Sequence, residues 1–546
     1  MKPGRIGCAP LLALLLASGC GGNAADGRRI GGETNWLVTC NSDSDCGAGQ
    51  CLCNVCTVSC ATDASCSDGP PESRCTAASE LAASCGEALS ASICLTPEAP
   101  ASLRLDRDRA LDELLATLEQ DLLAQPAGDR PFLRYVSGAN LKYLDNFIAD
   151  PAIVQDVVHQ RVFQRGLRAV NELANSLSLA PTLGLATVVD QQRQLVRIDL
   201  RSYGWDRTIF IDGHQYADGW EAIVANATMA IQVAPLAGPD GATLESQLGT
   251  RVPWLFVDDF VAAAALGDTY YDLLGLPHSL LDLQISLAGN GAYRAAFTNS
   301  GVSTSPRMVE WQGDTQEPAR GYWRTLDFQT AARGEEMFSN PFTYESDSGE
   351  LIYTLPNGLY GFFLSDGDGR RVTESVLSPE PISDPMQHDS VMRSAISCFS
   401  CHNGGLINFR DEMGSHQDPM DISSFYPGTK VLDQLREDAN ERYVRVIEAL
   451  GDTDLFATGR RPLSADSVSL IYREFANDGV DLELAAKALL VSPATLRSRL
   501  SEMPALARLR SSLGTMSRQE FGSAYRDALC TLHQADETRI GGCTVP

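Results

Sequence analysis

The chain has 546 residues, 44% of them hydrophobic and 21% charged, with a formal net charge of −27. That balance supports packed cores and excludes a largely disordered or fibrous chain, and the length points to roughly three or four domains at about 150 residues each. So acidic a surface repels phosphate backbones, which excludes nucleic acid as a partner, and no apolar run reaches the roughly 18 residues of a membrane helix.

The first residues read as an address. Lys2 and Arg5 precede a short apolar run, Leu11 to Ala17. The small residues Ala17, Ser18 and Gly19 then end at Cys20. Charged start, apolar middle and small-residue cleavage site are the layout of an export signal. A Cys directly after it matches a bacterial lipobox, with Ala17 where Leu is usual. The expectation is a signal peptide over 1–19 and lipid attachment at Cys20. Residues 20–39 would form a tether in the bacterial cell envelope. Gly21, in place of the Asp that favours inner-membrane retention, points to the outer membrane, facing periplasm or cell surface.

Sixteen Cys are present, and ten of them fall between Cys40 and Cys94 among Ser, Asp, Gly, Ala and Thr. Such a segment has too little apolar surface to fold alone. In an exported protein it reads as a disulfide-rich module over 40–94, its connectivity left open by sequence. Cys51, Cys53 and Cys56 also allow a metal site, but an oxidising compartment and the lack of His in this stretch argue for bridges. Cys530 and Cys543 are spaced to staple the C-terminal tail.

Pro97 to Ser102 reads as a linker. Leu111, Leu114, Leu115, Leu118 and Leu122 recur with helical period, and a second helix is predicted over 152–176. His159, within it, is more ordinary as a surface or core residue than as a ligand. Leu183 to Leu200 predicts two strands around 190–192, and Trp254 to Leu266 a helix. Met308 to Gln312, Tyr322 to Phe328 and Leu351 to Leu364 predict strands. The run 365–369 (Ser-Asp-Gly-Asp-Gly) is a hairpin turn rather than a calcium loop, whose other ligands are missing. Together 102–385 reads as a mixed α+β domain.

The chemistry lies in Cys398-Phe399-Ser400-Cys401-His402. Cys-x-x-Cys-His is the attachment signature of c-type haem. On a helix, positions i, i+3 and i+4 share one face. Cys398 and Cys401 can then form thioethers to one porphyrin edge while His402 presents its ring to the iron as proximal ligand. Asp389 or Ser390 is the candidate N-cap of this helix and Gly404-Gly405 its stop. A thioredoxin-like pair would follow a strand, a zinc site would need a second ligand pair, and a plain disulfide is a third reading. The distal ligand is open among Met413, His416 and Met420, with Met503 and Met516 further along. Met392 falls, on this reading, on the proximal helix itself and out of reach of the opposite haem face. After His402, helices are predicted over 430–450, 465–477, 482–490, 493–500 and 518–532. With the haem helix they make 386–546 a mainly helical, cytochrome c-like region.

A set of phrases accompanies the motif. These are Asn175-Ser176-Leu177-Ser178, Arg197 to Leu200 with Gly204-Trp205, Leu273 to Pro277, Ser300 to Ser303, Tyr322-Trp323 with Asp327-Phe328, and Leu355 to Leu359. With Cys398 to His402 they resemble the large secreted cytochrome c-like proteins of planctomycetes and myxobacteria, over about residues 130 to 415. That group is named for its haem motif. The resemblance implies one covalent haem c on Cys398, Cys401 and His402, and electron transfer. It supplies no substrate and no distal ligand.

The expectation is therefore an α+β chain whose N-terminal module is disulfide-rich. It would be an envelope-anchored lipoprotein carrying electrons to and from other electron-transfer proteins, basic cytochromes among them. Two rivals stand beside it. One is a haem enzyme with an open sixth site, peroxidase-like or using another small oxidant. The other is a non-redox, disulfide-rich surface protein in which Cys398 and Cys401 form a disulfide and the Cys-rich module binds another protein.

Overall fold

The computed structural model describes residues 46, 49–52, 55–67, 73–78, 91–95, 110–141, 151–190, 194–211, 213–233, 243–287, 289–298, 306–317, 320–342, 345–375, 384, 390–413, 422–451, 466–477, 479–511, 513–535 and 540–543. The expected signal, tether and lipidation site Cys20 lie outside them. So do Cys40, Cys53, Cys85, the linker at 97–102, Asp389, His416 and Met420. The chain divides into two compact units near Pro100.

The first unit is small and cross-linked. Strands β1 (Gln50–Leu52) and β2 (Val55–Thr57) form an antiparallel hairpin, and β3 (Ser59–Cys60), β4 (Arg74–Thr76) and β5 (Ser92–Leu95) form a sheet ordered β3-β5-β4. Disulfides join Cys46 to Cys56, Cys60 to Cys75 and Cys66 to Cys94, and Cys51 is also bridged. The bridges supply the order that strands of two to four residues cannot.

The second unit begins with α1 (Ala110–Ala124), whose five predicted leucines are its buried stripe. Strand β6 (Leu133–Ser137) follows, then α2 (Pro151–Ser176), β7 (Thr187–Asp190) and β8 (Leu195–Asp199). A short hairpin, β9 (Ile209–Ile211) and β10 (His214–Tyr216), leads into α3 (Gly219–Asn226) and α4 (Leu244–Leu248). The helix expected at Trp254 is instead a strand for its first turn, β11 (Trp254–Phe256), which pairs parallel to β6 before α5 (Val257–Ala265) begins. Three fully buried large side chains in succession suit a strand covered on both faces, and Asp258 and Asp259 then favour the helix start that follows. The sheet runs β11-β6-β8-β7.

Helices α6 (Gly267–Leu273) and α7 (Leu280–Leu287) lead to a six-stranded antiparallel meander. Its strands are β12 (Gly291–Phe297), β13 (Arg307–Gly313), β14 (Tyr322–Leu326), β15 (Ser348–Thr354), β16 (Tyr360–Asp366) and β17 (Arg371–Val372), hydrogen-bonded in chain order. Helix α8 (Ala331–Ser339) sits between β14 and β15 in sequence. The predicted turn at 365–369 joins β16 to β17, with Gly369 at φ +77.

Beyond the Cys-x-x-Cys-His helix, α9 (Ile396–His402), the chain is helical: α10 (Thr429–Ala449), α11 (Ser467–Asn477), α12 (Leu482–Ala488), α13 (Pro493–Arg499) and α14 (Arg518–His533). The expected boundary between 102–385 and 386–546 does not separate two cores. One apolar cluster holds Leu111 to Leu122 and Trp254 together with Leu482 to Leu509 and Phe521 to Leu532. The tail closes on the same unit: Ile540 bridges Val233, and Cys543 is bonded to Cys530. Replacing both Cys530 and Cys543 with Ser should lower stability by about 3 kcal/mol, since the bridge closes a loop of 13 residues. A urea midpoint that does not move would show that packing alone holds the tail.

Candidate haem site

Successive residues of a strand point to opposite faces of a sheet. In the meander, Phe297, Arg307, Val309, Trp323, Thr325, Glu350 and Ile352 therefore share one face, as the register confirms by pairing Val309 with Thr325 and Trp323 with Ile352. That face is one wall of a cavity. Its other walls are Cys398, Cys401 and His402 of α9, the segment Leu406 to Phe409, and Met392. The lining is mainly apolar and aromatic, as in cofactor pockets generally. Phe409 stacks on Phe297 at 5.5 Å and meets Trp323 edge-on at 6.0 Å, making a continuous aromatic corner.

Helix α9 is placed from both ends. It opens at Ala395, not at Asp389 or Ser390, and Ala395 is buried at φ +61, ψ −64 with no side-chain cap. A non-glycine residue in such a conformation stores on the order of 1–3 kcal/mol. The turn is held by Ser394 N–H donating to Thr373 O, Phe399 N–H to Ala395 O, and Arg393 N–H to Ser397 Oγ. Ser469 of α11 donates to Ile396 O, and Phe399 meets Phe362 of β16 edge-on at 5.4 Å. The helix stops where predicted. Gly405 has φ +105, and a Cβ there would collide with Asn440 Oδ1 of α10. Asn440 brackets the turn, accepting from Leu406 N–H and donating to Leu406 O.

The three motif residues share the cavity but differ from the other described cysteines. Cys398 and Cys401 are unpaired, whereas Cys46, Cys51, Cys56, Cys60, Cys66, Cys75, Cys94, Cys530 and Cys543 are all disulfide-bonded. Burial pushes the Cys398 thiol well up and the Cys401 thiol up to about 12, with Glu350 adding to both. Both are therefore protonated at neutral pH, unlike the thiolate of a redox or nucleophilic pair. Burial lowers His402 to about 4, so its ring is neutral. Its Nδ1 lies 3.2 Å from Gly405 O. A carbonyl can only accept, so Nδ1 carries the proton and Nε2 keeps its lone pair. A His that binds a metal through one ring nitrogen commonly has the other held in this way, which fixes its tautomer and ring orientation.

Sequence reasoning missed the charged groups of the cavity. Arg307 Nε lies 2.6 Å from Asp327 and its Nη2 lies 3.3 Å from Glu350. Arg307 and Asp327 are buried, and Glu350 lines the cavity. Burial pushes Asp327 up to about 6 against the opposing pull of Arg307. The cluster carries one positive and two negative charges when ionised. Charged residues within a strand read as its solvent face, so no local signal marked these as interior.

The distal candidates separate. Met413 is 1% exposed, in an apolar cluster with Met308, Leu326, Phe328 and Met337. Met308 and Leu326 belong to the face of the meander opposite to the cavity, and Met413 is not part of the cavity wall. Met503 and Met516 belong to the core built around α12 and α14. Met392, set aside as part of the proximal helix, precedes that helix by four residues and lines the cavity.

The chain matches no protein-family model, no curated protein and no solved structure.

Proposed function

We propose that this chain is a mono-haem c-type electron-transfer protein, with Cys398 and Cys401 as the thioether attachment points and His402 as the proximal iron ligand. The observation that carries the reading is the donor set. Two protonated, unpaired cysteines three residues apart and a neutral imidazole with a free Nε2 open on one mainly apolar cavity. The aromatic corner of Phe297, Trp323 and Phe409 suits a flat apolar ring. A bound haem supplies a one-electron couple. The protein orients it, excludes water from it and sets its potential. Attachment of this kind takes place outside the cytoplasm, in keeping with the export signal. Lipid anchoring at Cys20, an envelope location and basic redox partners for the acidic chain belong to the same proposal and rest on the sequence pattern.

Peptide mass spectrometry on protein made in a host competent for c-type haem attachment tests it. The peptide containing Cys398 to His402 should carry the mass of one haem. The same peptide with free thiols, or with an internal disulfide, would contradict the reading.

The electrostatics of the cavity give a second check. A carboxylate on the wall favours the oxidised, more positive iron. Glu350→Gln should therefore raise the reduction potential in a redox titration, and an unchanged or lower potential would place Glu350 outside the field of the haem. Glu350 beside Arg307 is also the observation that favours small-oxidant chemistry, since a carboxylate in a dry cavity can move a proton. Carbon monoxide binding to the reduced protein separates the two readings: an electron carrier with a filled sixth site should not take it.

A further inference from the structure

The structure assigns Met392 as the sixth ligand of the iron. This inference rests on the haem reading above and adds which residue would complete the ligand set of the iron. Among the described residues, the cavity wall offers few groups that bind iron: Cys398, Cys401, His402, Met392 and Glu350. The two cysteines are committed to attachment and His402 to the proximal side. Glu350 is engaged by Arg307. That leaves the Met392 thioether, a neutral soft ligand in a mainly apolar site.

Its backbone is built to hold a position. Met392 O accepts from Ser375 N–H, and the next residue, Arg393, forms a bridge with Glu374 just beyond β17. Arg393 is fixed again by Ser397 Oγ of α9 and by a salt bridge to Glu374 at 3.1 Å. The residue is 5% exposed. A flexible methionine in a core is ordinarily filler. This one is carried on a pinned segment between the sheet edge and the attachment helix, with a cavity in front of it. The segment is not helical, so the helical geometry that would keep it on the proximal side does not apply.

The test uses the full chain matured with haem, compared with Met392→Leu and Met392→His. Leucine keeps the volume and removes the sulfur, so packing is conserved. The wild-type protein should show six-coordinate low-spin iron and no response to carbon monoxide. Met392→Leu should lose the low-spin signature and bind carbon monoxide when reduced, with the covalent haem content unchanged. Met392→His should restore low-spin iron at a lower potential. A Met392→Leu spectrum identical to wild type overturns the assignment, as does a wild-type protein that already binds carbon monoxide. Absence of haem from all three forms would instead overturn the haem reading itself.

Discussion

Replacing Cys398 and Cys401 together with Ala should abolish covalent haem. Acid–acetone extraction, which leaves thioether-linked haem on the polypeptide, should then remove all haem from the variant and none from the wild type. The fold should survive. Neither cysteine forms a disulfide, and the helix is anchored independently by Ser469, Phe362 and the backbone bonds of Ala395. The single variants should each keep haem through one thioether. Haem that resists extraction in the double variant would mean that attachment lies elsewhere. Haem absent from wild type and variant alike would remove the premise.

The second large effect concerns stability. Arg307→Leu should cost about 3–5 kcal/mol, the usual consequence of stranding a buried charge. Its partner Asp327 is 2% exposed, and Glu350 loses the same guanidinium. The loss should depend on pH in a defined direction. Asp327 is held above its ordinary 3.8 in the fold, at about 6. A carboxyl raised in the fold contributes most below its unfolded value, and the contribution falls as pH rises through the folded one. Without Arg307 the folded value moves up further. The deficit of the variant should therefore shrink towards pH 4 and widen towards pH 7. Urea midpoints at both ends check this. A loss below about 1 kcal/mol at pH 7 would mean that Arg307 is hydrated and the cluster is not the interior ion pair described.

How much of this was legible in the sequence follows from the range of each signal. The leucines of α1 repeat within one helix, so period alone located both the helix and its buried face. The hairpin at 365–369 was fixed by local turn chemistry, and the Cys-x-x-Cys-His motif by five adjacent residues. The misses are non-local. Trp254 to Phe256 became a strand because β6, more than a hundred residues earlier, pairs with it. Arg307 and Glu350 looked like solvent-facing strand residues because the cavity opposite them is built from α9 and the segment after it. Met392 was misplaced by extending the helix upstream of Ala395, where a left-handed residue without a capping side chain starts it instead. The wall of the cavity is thus written across residues 297 to 409, while only its Cys-x-x-Cys-His edge is contiguous.

The central claim is that Cys398, Cys401 and His402 hold one covalent haem. A reduced pyridine haemochrome spectrum of the full chain, exported by a host competent for c-type attachment, tests it most directly. The account predicts a c-type spectrum at one haem per chain. A protein that folds, keeps its disulfides and shows no haemochrome band would contradict it.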